Sequence, residues 1–278
     1  MVRVRDVTLR DGLQGLSVVL PTTIKVEVYR KVLAGGVDEV QVTSFVSPRR
    51  LPQLADAEAL WDALRFLPGT KSALIANHRG YQRARAVGVD RLEMVLAISP
   101  TYHQRNSGCS RDETWAELVN MAAEAKNDGV HLAVVLANTW HCHFEGDTPM
   151  ANFIHWVEQI AGLGVPELGL ADTTGTARPE EVYSRVQAVR DGFSHAFLRV
   201  HLHEGGCGLE SARAACDAGA DALDAALMGL GGSPFAGEFV GNLNLRQLHE
   251  AGLVTLNLED IHEAEILLQR QIKAAHSS

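Results

Sequence analysis

His201-Leu202-His203 sets two imidazoles two residues apart. In an extended chain, residues i and i+2 point to the same side, so both rings can face one centre. Two histidines with a carboxylate commonly hold a divalent cation. The carboxylate candidate is Asp11, beside Arg10 in the string LRDGLQG. Asn242 ends the glycine-rich stretch GLGGSPFAGEFVGN and can add an amide oxygen. Two nitrogens and two oxygens with open positions suit Mg²⁺ or Mn²⁺, and Zn²⁺ or Co²⁺ stay allowed. The competing reading of the pair is two hydrogen-bonded core histidines. The glycine-rich stretch lacks the Lys-Ser/Thr ending of a phosphate loop. It reads instead as a flap that carries Ser233 over a site, its turn permitted by Gly231 and Gly232 and stiffened by Pro234.

Such residues need elements to bring them together. Strand-like runs occur at VRVRDVTL, VDEVQVTSF, KSALIAN, RLEMVLAIS, HLAVVLANT, ELGLADT, FLRVHLH and ALDAALMGL. Each is dense in apolar and β-branched residues and bounded by turn formers. Amphipathic helical runs lie between them, from TTIKVEVYRKVLA to CGLESARAACDAG. Several end in a glycine just before the next strand, the signal of a helix C-terminus. Eight such alternations in ~250 residues predict a (β/α)₈ TIM barrel, a single catalytic domain over residues 1–278. A doubly wound sheet is the rival, but LRDGLQG replaces its usual GxGxxG turn. LEDIHEAEILLQRQIKAA predicts a C-terminal helical extension on the outside or at a subunit contact. In a barrel the chemistry gathers at the C-terminal strand ends. Arg10-Asp11 is expected to end strand one, and His201-Leu202-His203 strand seven.

Composition narrows the setting. Apolar residues make up 46% of the 278, so a sizeable core is expected. A formal net charge of −9 and the lack of Lys/Arg blocks argue against nucleic acid as a partner. Four cysteines without a CxxC pair imply a reducing compartment. No signal region and no membrane-length apolar run is present, so a cytoplasmic protein without a membrane partner is expected.

The strings RDGLQ, VTSFVSPRRLPQLAD, NSGCSRDE, ADTTG, HLH, GLGGSPFAG and GNL stand in one order along the chain. Together they resemble the 3-hydroxy-3-methylglutaryl-CoA lyase family, among metal-dependent barrel lyases and Claisen-type synthases. The resemblance implies that Asp11, His201, His203 and Asn242 hold the metal. It implies that Arg10 neutralises a thioester enolate oxygen. Gln14, Gln41, Asp172 and Gly232 match positions near the substrate. His201 is the candidate for assisting the first proton transfer. The implied reaction is a retro-Claisen cleavage of a 3-hydroxy-3-methylglutaryl-CoA-like thioester to acetyl-CoA and a keto acid. The implied partners are an acyl-CoA, or a small hydroxy or oxo acid, and a second copy in a homodimer.

Departures from the family pattern cluster where substrate is selected. Ser233 replaces a cysteine implicated in the terminal proton transfer, and a hydroxyl is a far weaker acid than a thiol. Gln41 replaces a glutamate, removing one negative charge near the metal. HEGGCG (203–208) replaces a segment like HDTYGQ, and Arg246 stands where an acidic residue is expected. Two alternatives follow: a 4-hydroxy-2-oxo acid (pyruvate-type) aldolase or condensing synthase, and a catalytically impaired homologue that binds acyl-CoA and metal.

Other residues have plainer readings. His141 and His143 flank Cys142 in TWHCHFEGD and read as solvated or capping loop histidines. Cys207 reads as a small buried residue at a helix start, Cys109 as helix-entry packing, and Arg49 and Arg50 as solvated loop charges. Trp61, Trp115 and Trp156 read as core or interface.

Overall fold

Eight parallel strands close into a barrel in the computed structural model, which describes residues 1–193, 196–205, 207–232 and 240–276. In chain order they are β1 (Arg3–Asp6), β2 (Glu39–Ser44), β3 (Thr70–Ile75), β4 (Arg91–Ala97) and β5 (His131–Ala137), then β8 (Glu167–Ala171), β9 (Phe197–His201) and β10 (Ala222–Ala225). A short antiparallel hairpin, β6 (His141–Cys142) and β7 (Gly146–Asp147), lies outside the barrel in the loop after β5. Each barrel strand pairs with its neighbour in sequence, and β10 closes on β1 with Arg3 opposite Ala222 and Asp6 opposite Ala225. This is the expected TIM barrel.

The outer layer holds α1 (Thr22–Ala34), α2 (Ala57–Leu64), α3 (His78–Ala86), α4 (Pro100–Ser107), α5 (Arg111–Asp128), α6 (Met150–Gly162), α7 (Pro179–Gly192), α8 (Gly208–Asp217), α9 (Leu245–Glu250) and α10 (Leu258–His276). Local chemistry sets their ends. Ser110 and Glu113 form a reciprocal capping box at the start of α5, and Gly129 ends it at φ +67°. Trp115 and Trp156 meet edge to face at 5.4 Å and join the core beneath α5 and α6. No helix among the described residues is long and apolar enough to cross a membrane.

The elements differ from the sequence expectation in several places: β9 stops at His201, leaving His203 in an isolated bridge to Asn242, and the β6–β7 hairpin was not expected. Strand one stops at Asp6, not Asp11. Residues Thr8–Gly12 coil instead into a π-helical turn, closed by Gly12 N–H donating to the Val7 carbonyl at 3.1 Å. Such turns widen the backbone ring and re-aim side chains. Helix α4, PTYHQRNS, is too polar to show apolar periodicity. Its N-terminus is set by the Ser99 cap and Pro100 in the first turn. Helix α9 is only six residues long and follows the Asn244 cap.

The C-terminal extension packs back on the barrel. Ile261, Ala264 and Leu268 of α10 are buried, Asn257 N–H donates to the Gly35 carbonyl at 2.9 Å, and Arg246 pairs with Glu265 at 2.7 Å. So Arg246, at a position expected to be acidic, meets an acidic partner on α10.

The barrel interior is unusual in its charge. Arg5, Glu93, Glu167, Arg199 and Asp224 are all buried there. Gly169 on β8 makes room beside them, because a Cβ would fall 2.6 Å from Val135 Cγ2.

Candidate metal centre at the barrel mouth

The π-helical turn and the end of β9 meet at the C-terminal mouth. Ligand atoms of Asp11, His201 and His203 lie within 4.8 Å of one another, all three residues buried. Among the described residues this is the one group of three His, Cys, Asp or Glu with such spacing.

Each histidine is oriented from behind. His201 Nδ1 meets Asp224 Oδ2 at 3.0 Å, and His203 Nδ1 meets the Asp172 carbonyl at 2.6 Å. Both partners are acceptors, so Nδ1 is the protonated nitrogen in each ring. That leaves the Nε2 lone pairs for another group. The two rings stand 4.8 Å apart, nearly perpendicular.

Asp11 gathers donors on both oxygens. Oδ1 accepts from Arg10 Nη1 at 2.5 Å and Gln14 Nε2 at 2.8 Å. Oδ2 accepts from Asn242 Nδ2 at 2.7 Å and Gly232 N–H at 3.1 Å. Burial alone would raise its pKa. The Arg10 guanidinium first, and the Asn242 hydrogen bond, override that and lower it to about 2. Asp11 is therefore an anion at any working pH. His203 is shifted the other way: burial, then the charge of His201, lower its pKa and favour the neutral ring that can serve as a ligand.

Two polar atoms here are buried without a partner: His203 Nε2 and Asn242 Oδ1. Buried polar atoms are nearly always paired, and each orphan costs ~1–3 kcal/mol. A cation held by Asp11, His201, His203 and Asn242 would satisfy both. The donor set therefore fits a divalent metal.

The glycine-rich segment enters beside these groups. Gly231 has φ +115°, and a Cβ there would fall 2.2 Å from Asn242 Nδ2 and 2.5 Å from Asp11 Oδ2. No larger residue could pass. Asn242 is fixed by a bridge to His203 and by Nδ2 donating to the Leu230 carbonyl at 2.7 Å. Ser233, expected in this loop, lies outside the described residues.

The other expected substrate-side residues divide. Gln14 and Gly232 contact Asp11 directly. Gln41 is fully buried; it accepts from Arg10 Nε and donates through Nε2 to Glu93 Oε1 at 2.9 Å. The Asp172 carboxylate is engaged by the backbone N–H groups of Thr176 at 3.3 Å and Ala177 at 3.0 Å. It shapes the turn after β8, while its carbonyl orients His203.

Sequence reasoning passed over the residues beneath. Arg5 donates to Glu93 Oε2 at 2.7 Å and to both Asp224 oxygens at 2.8 and 2.7 Å. Arg199 donates to Glu93 at 2.5 Å, Glu167 at 2.8 Å and Asp224 at 3.0 Å. Burial acts against each carboxylate's charge, yet the guanidiniums hold Glu93 and Asp224 well below the usual range. The signal was a charged residue set among apolar neighbours in each run: Arg5 in VRVRD, Glu93 in RLEMVLA, Arg199 in FLRVH and Asp224 in ALDA.

The plainer readings mostly hold. His141 pairs with Asp147 at 2.8 Å, His143 packs on Phe144, and neither joins a metal group among the described residues. Cys109 Sγ meets Thr114 Oγ1 at 3.2 Å at the entry to α5. Arg50 is exposed but tied to the Ser107 carbonyl at 3.0 Å. Cys207 does stand at the start of α8, as its N-cap, but it is exposed rather than buried.

Comparison with known proteins agrees with this geometry. Residues 1–268 match the family described as HMGL-like. The (R)-citramalyl-CoA lyase of Chloroflexus aurantiacus is 32% identical over 87% of this chain and 80% of its own length. The cytoplasmic 3-hydroxy-3-methylglutaryl-CoA lyase of Mus musculus is 29% identical over 89% and 73%. Among solved structures, an HMG-CoA lyase of Acinetobacter baumannii in complex with coenzyme A and 3-methylmalate superposes with a TM-score of 0.91 at 29% identity. It covers 98% of this chain and 92% of that one. The HMG-CoA lyase of Brucella melitensis gives 0.89 at 30% identity, with 98% and 99% covered. With its barrel, its buried Asp-His-His group and matches of this extent, the chain belongs to the HMGL-like family and is a carbon–carbon lyase.

Proposed function

We propose that this lyase acts on a 3-hydroxy-3-methylglutaryl-CoA-like thioester and splits it into acetyl-CoA and a keto acid. The observation that carries the reading is the pair of buried, partnerless atoms, His203 Nε2 and Asn242 Oδ1, beside an anionic Asp11. Asp11, His201, His203 and Asn242 would hold Mg²⁺ or Mn²⁺. When bound, such a cation lowers the pKa of a coordinated hydroxyl and orients it.

The chain's own groups do the rest. Cleaving the bond between the hydroxyl carbon and the thioester α-carbon leaves an electron pair as a thioester enolate. Arg10, a permanent cation beside Asp11, stabilises that oxygen as charge develops. Gln14 keeps the Asp11 carboxylate oriented through Oδ1. The substrate hydroxyl gives up its proton as its oxygen becomes the keto carbonyl, and His201, with Nδ1 held by Asp224, is assigned to assist that transfer. Ser233 is proposed to relay the proton that converts the enolate to acetyl-CoA, through an adjacent base or water. Gln14 and Gly232 are assigned to the substrate side of the site, while Asp172 acts through the turn it holds and Gln41 from behind Arg10.

Similarity to lyases of citramalyl-CoA and 3-hydroxy-3-methylglutaryl-CoA supports an acyl-CoA substrate. A homodimer in a reducing compartment completes the reading; the four cysteines are unpaired. A second reading, cleavage of a 4-hydroxy-2-oxo acid, is favoured by Ser233 in place of the thiol.

The test is product analysis with and without Mn²⁺ or Mg²⁺, using a panel of 3-hydroxy-acyl-CoA and 4-hydroxy-2-oxo acid substrates. Metal-dependent release of acetyl-CoA is expected. Turnover of the oxo acids alone would replace this reading with the second.

A further inference from the structure

Arg10 is held by more than Asp11. Its Nε donates to Gln41 Oε1, and Gln41 Nε2 donates to Glu93 Oε1 at 2.9 Å. The order of this chain is chemically fixed. A guanidinium offers only donors and a carboxylate only acceptors. Flipping the Gln41 amide would set N–H against N–H at one end and oxygen against oxygen at the other. Glu93 therefore decides which way Gln41 points, and Gln41 decides where the Arg10 Nε–H is aimed. Glu93 itself cannot turn, because Arg5 and Arg199 grip its second oxygen at 2.7 and 2.5 Å. All five residues are buried.

This arrangement accounts for the amide at position 41. A carboxylate there would place its oxygen against Glu93 Oε1, and two carboxylates at that range cannot both ionise. The charge expected beside Arg10 has not been lost. It sits one residue deeper, on β4, and reaches Arg10 through the amide.

We propose that Glu93 is a positioning residue for Arg10, and that positions 41 and 93 act as one unit carrying a single carboxylate. The inference rests on the reading that Arg10 stabilises the enolate oxygen. It excludes the plainer possibility that Glu93 serves only to neutralise Arg5 and Arg199.

The experiment is a double-mutant cycle of Gln41→Glu, Glu93→Gln and the exchanged pair, read in three ways. First, each single variant should lower kcat by ~10-fold or more with KM nearly unchanged, since a small displacement of a transition-state group is costly. The exchanged pair should recover to within ~3-fold of the native enzyme, because the two positions couple. Second, Mn²⁺ affinity measured by calorimetry should stay within ~3-fold throughout, as neither residue is a ligand. Third, the Arg10 ¹⁵Nε–¹H resonance, assigned by its loss in Arg10→Lys, should shift in each single variant and return in the pair. This last reading needs neither metal nor turnover. Absence of thioester cleavage by the native enzyme would therefore sink the proposed function while the Arg10 resonance still decided this one. Gln41→Leu breaks the link and leaves the Glu93 ion pairs intact, so it replaces any single variant that does not fold. An Arg10 resonance unmoved in Gln41→Leu overturns the proposal. So does an exchanged pair no better than its worse single variant.

Discussion

Asp224 in the middle of the barrel and Asp11 at its mouth are both buried carboxylates, yet their surroundings are satisfied differently. Around Asp224 the side chains of Arg5, Arg199, Glu93 and Glu167 have all found hydrogen-bond partners in one another. Around Asp11 the neighbouring His203 Nε2 and Asn242 Oδ1 have none. The first region is closed electrostatically and supports the second. The second is built with open positions, which is the arrangement of a site that receives a ligand. His201 joins the two: Asp224 holds one nitrogen and the other belongs to the mouth.

The sharpest way to break this contrast is His203→Ala. Loss of a ligand should exceed the ~10–100-fold cost of losing an outer partner, so Mn²⁺ affinity should fall by more than ~100-fold and turnover with it. Thermal stability without metal should fall only modestly, by ~1–3 kcal/mol, because the lost Nδ1 hydrogen bond to the Asp172 carbonyl is partly offset by removal of the orphaned Nε2. A large loss of stability with metal affinity retained would make the histidines a core pair and end the metal assignment.

The middle region should respond in the opposite way. Arg199→Leu strands Glu93, Glu167 and Asp224 with too few cations, and is expected to cost ~3–5 kcal/mol in urea unfolding. If the variant unfolds at the native midpoint, the cluster is not the support described here.

The smallest effect lies beside both regions. Asp6 is fully buried, and burial, reinforced by the charge of Asp224 and opposed by Thr8, raises its pKa from 3.8 to about 7. Between those values the folded chain keeps a proton that the unfolded chain has released. Stability should therefore fall as pH rises from 3.8 to about 7 and be level above. Asp6→Asn should remove that slope, gaining ~1–3 kcal/mol over the native protein at pH 8 and little near pH 4. Parallel pH–stability curves for the two proteins would contradict it.

The contrast also marks what could be read from the amino acids. Strands such as HLAVVLA and helices such as TTIKVEVYRKVLA announce themselves by local pattern, and the barrel follows from their alternation. The group of Asp11, His201, His203 and Asn242 was legible because its members are polar residues just beyond strands or at their ends and in a glycine-rich loop. Glu93, Arg199 and Asp224 were not, because a lone charge in a strand ordinarily faces solvent. Only closure of the barrel turns those positions inward, and closure is a property of all eight strands together. The π-helical turn was hidden for a related reason: VTL continues the apolar run of β1, and no residue type marks where the ladder stops. The place of Gln41 became intelligible only once Glu93 stood behind it.

Asp11 and Asn242, which touch at 2.7 Å, are separated by 231 positions in the chain. Arg246, just beyond Asn242, is anchored by Glu265 of α10. A ribosome emits the first of these residues long before the last, and domains tend to fold as units during and after synthesis. The candidate cation site is thus assembled from segments far apart in the chain. Metal capture there would report that the barrel has closed.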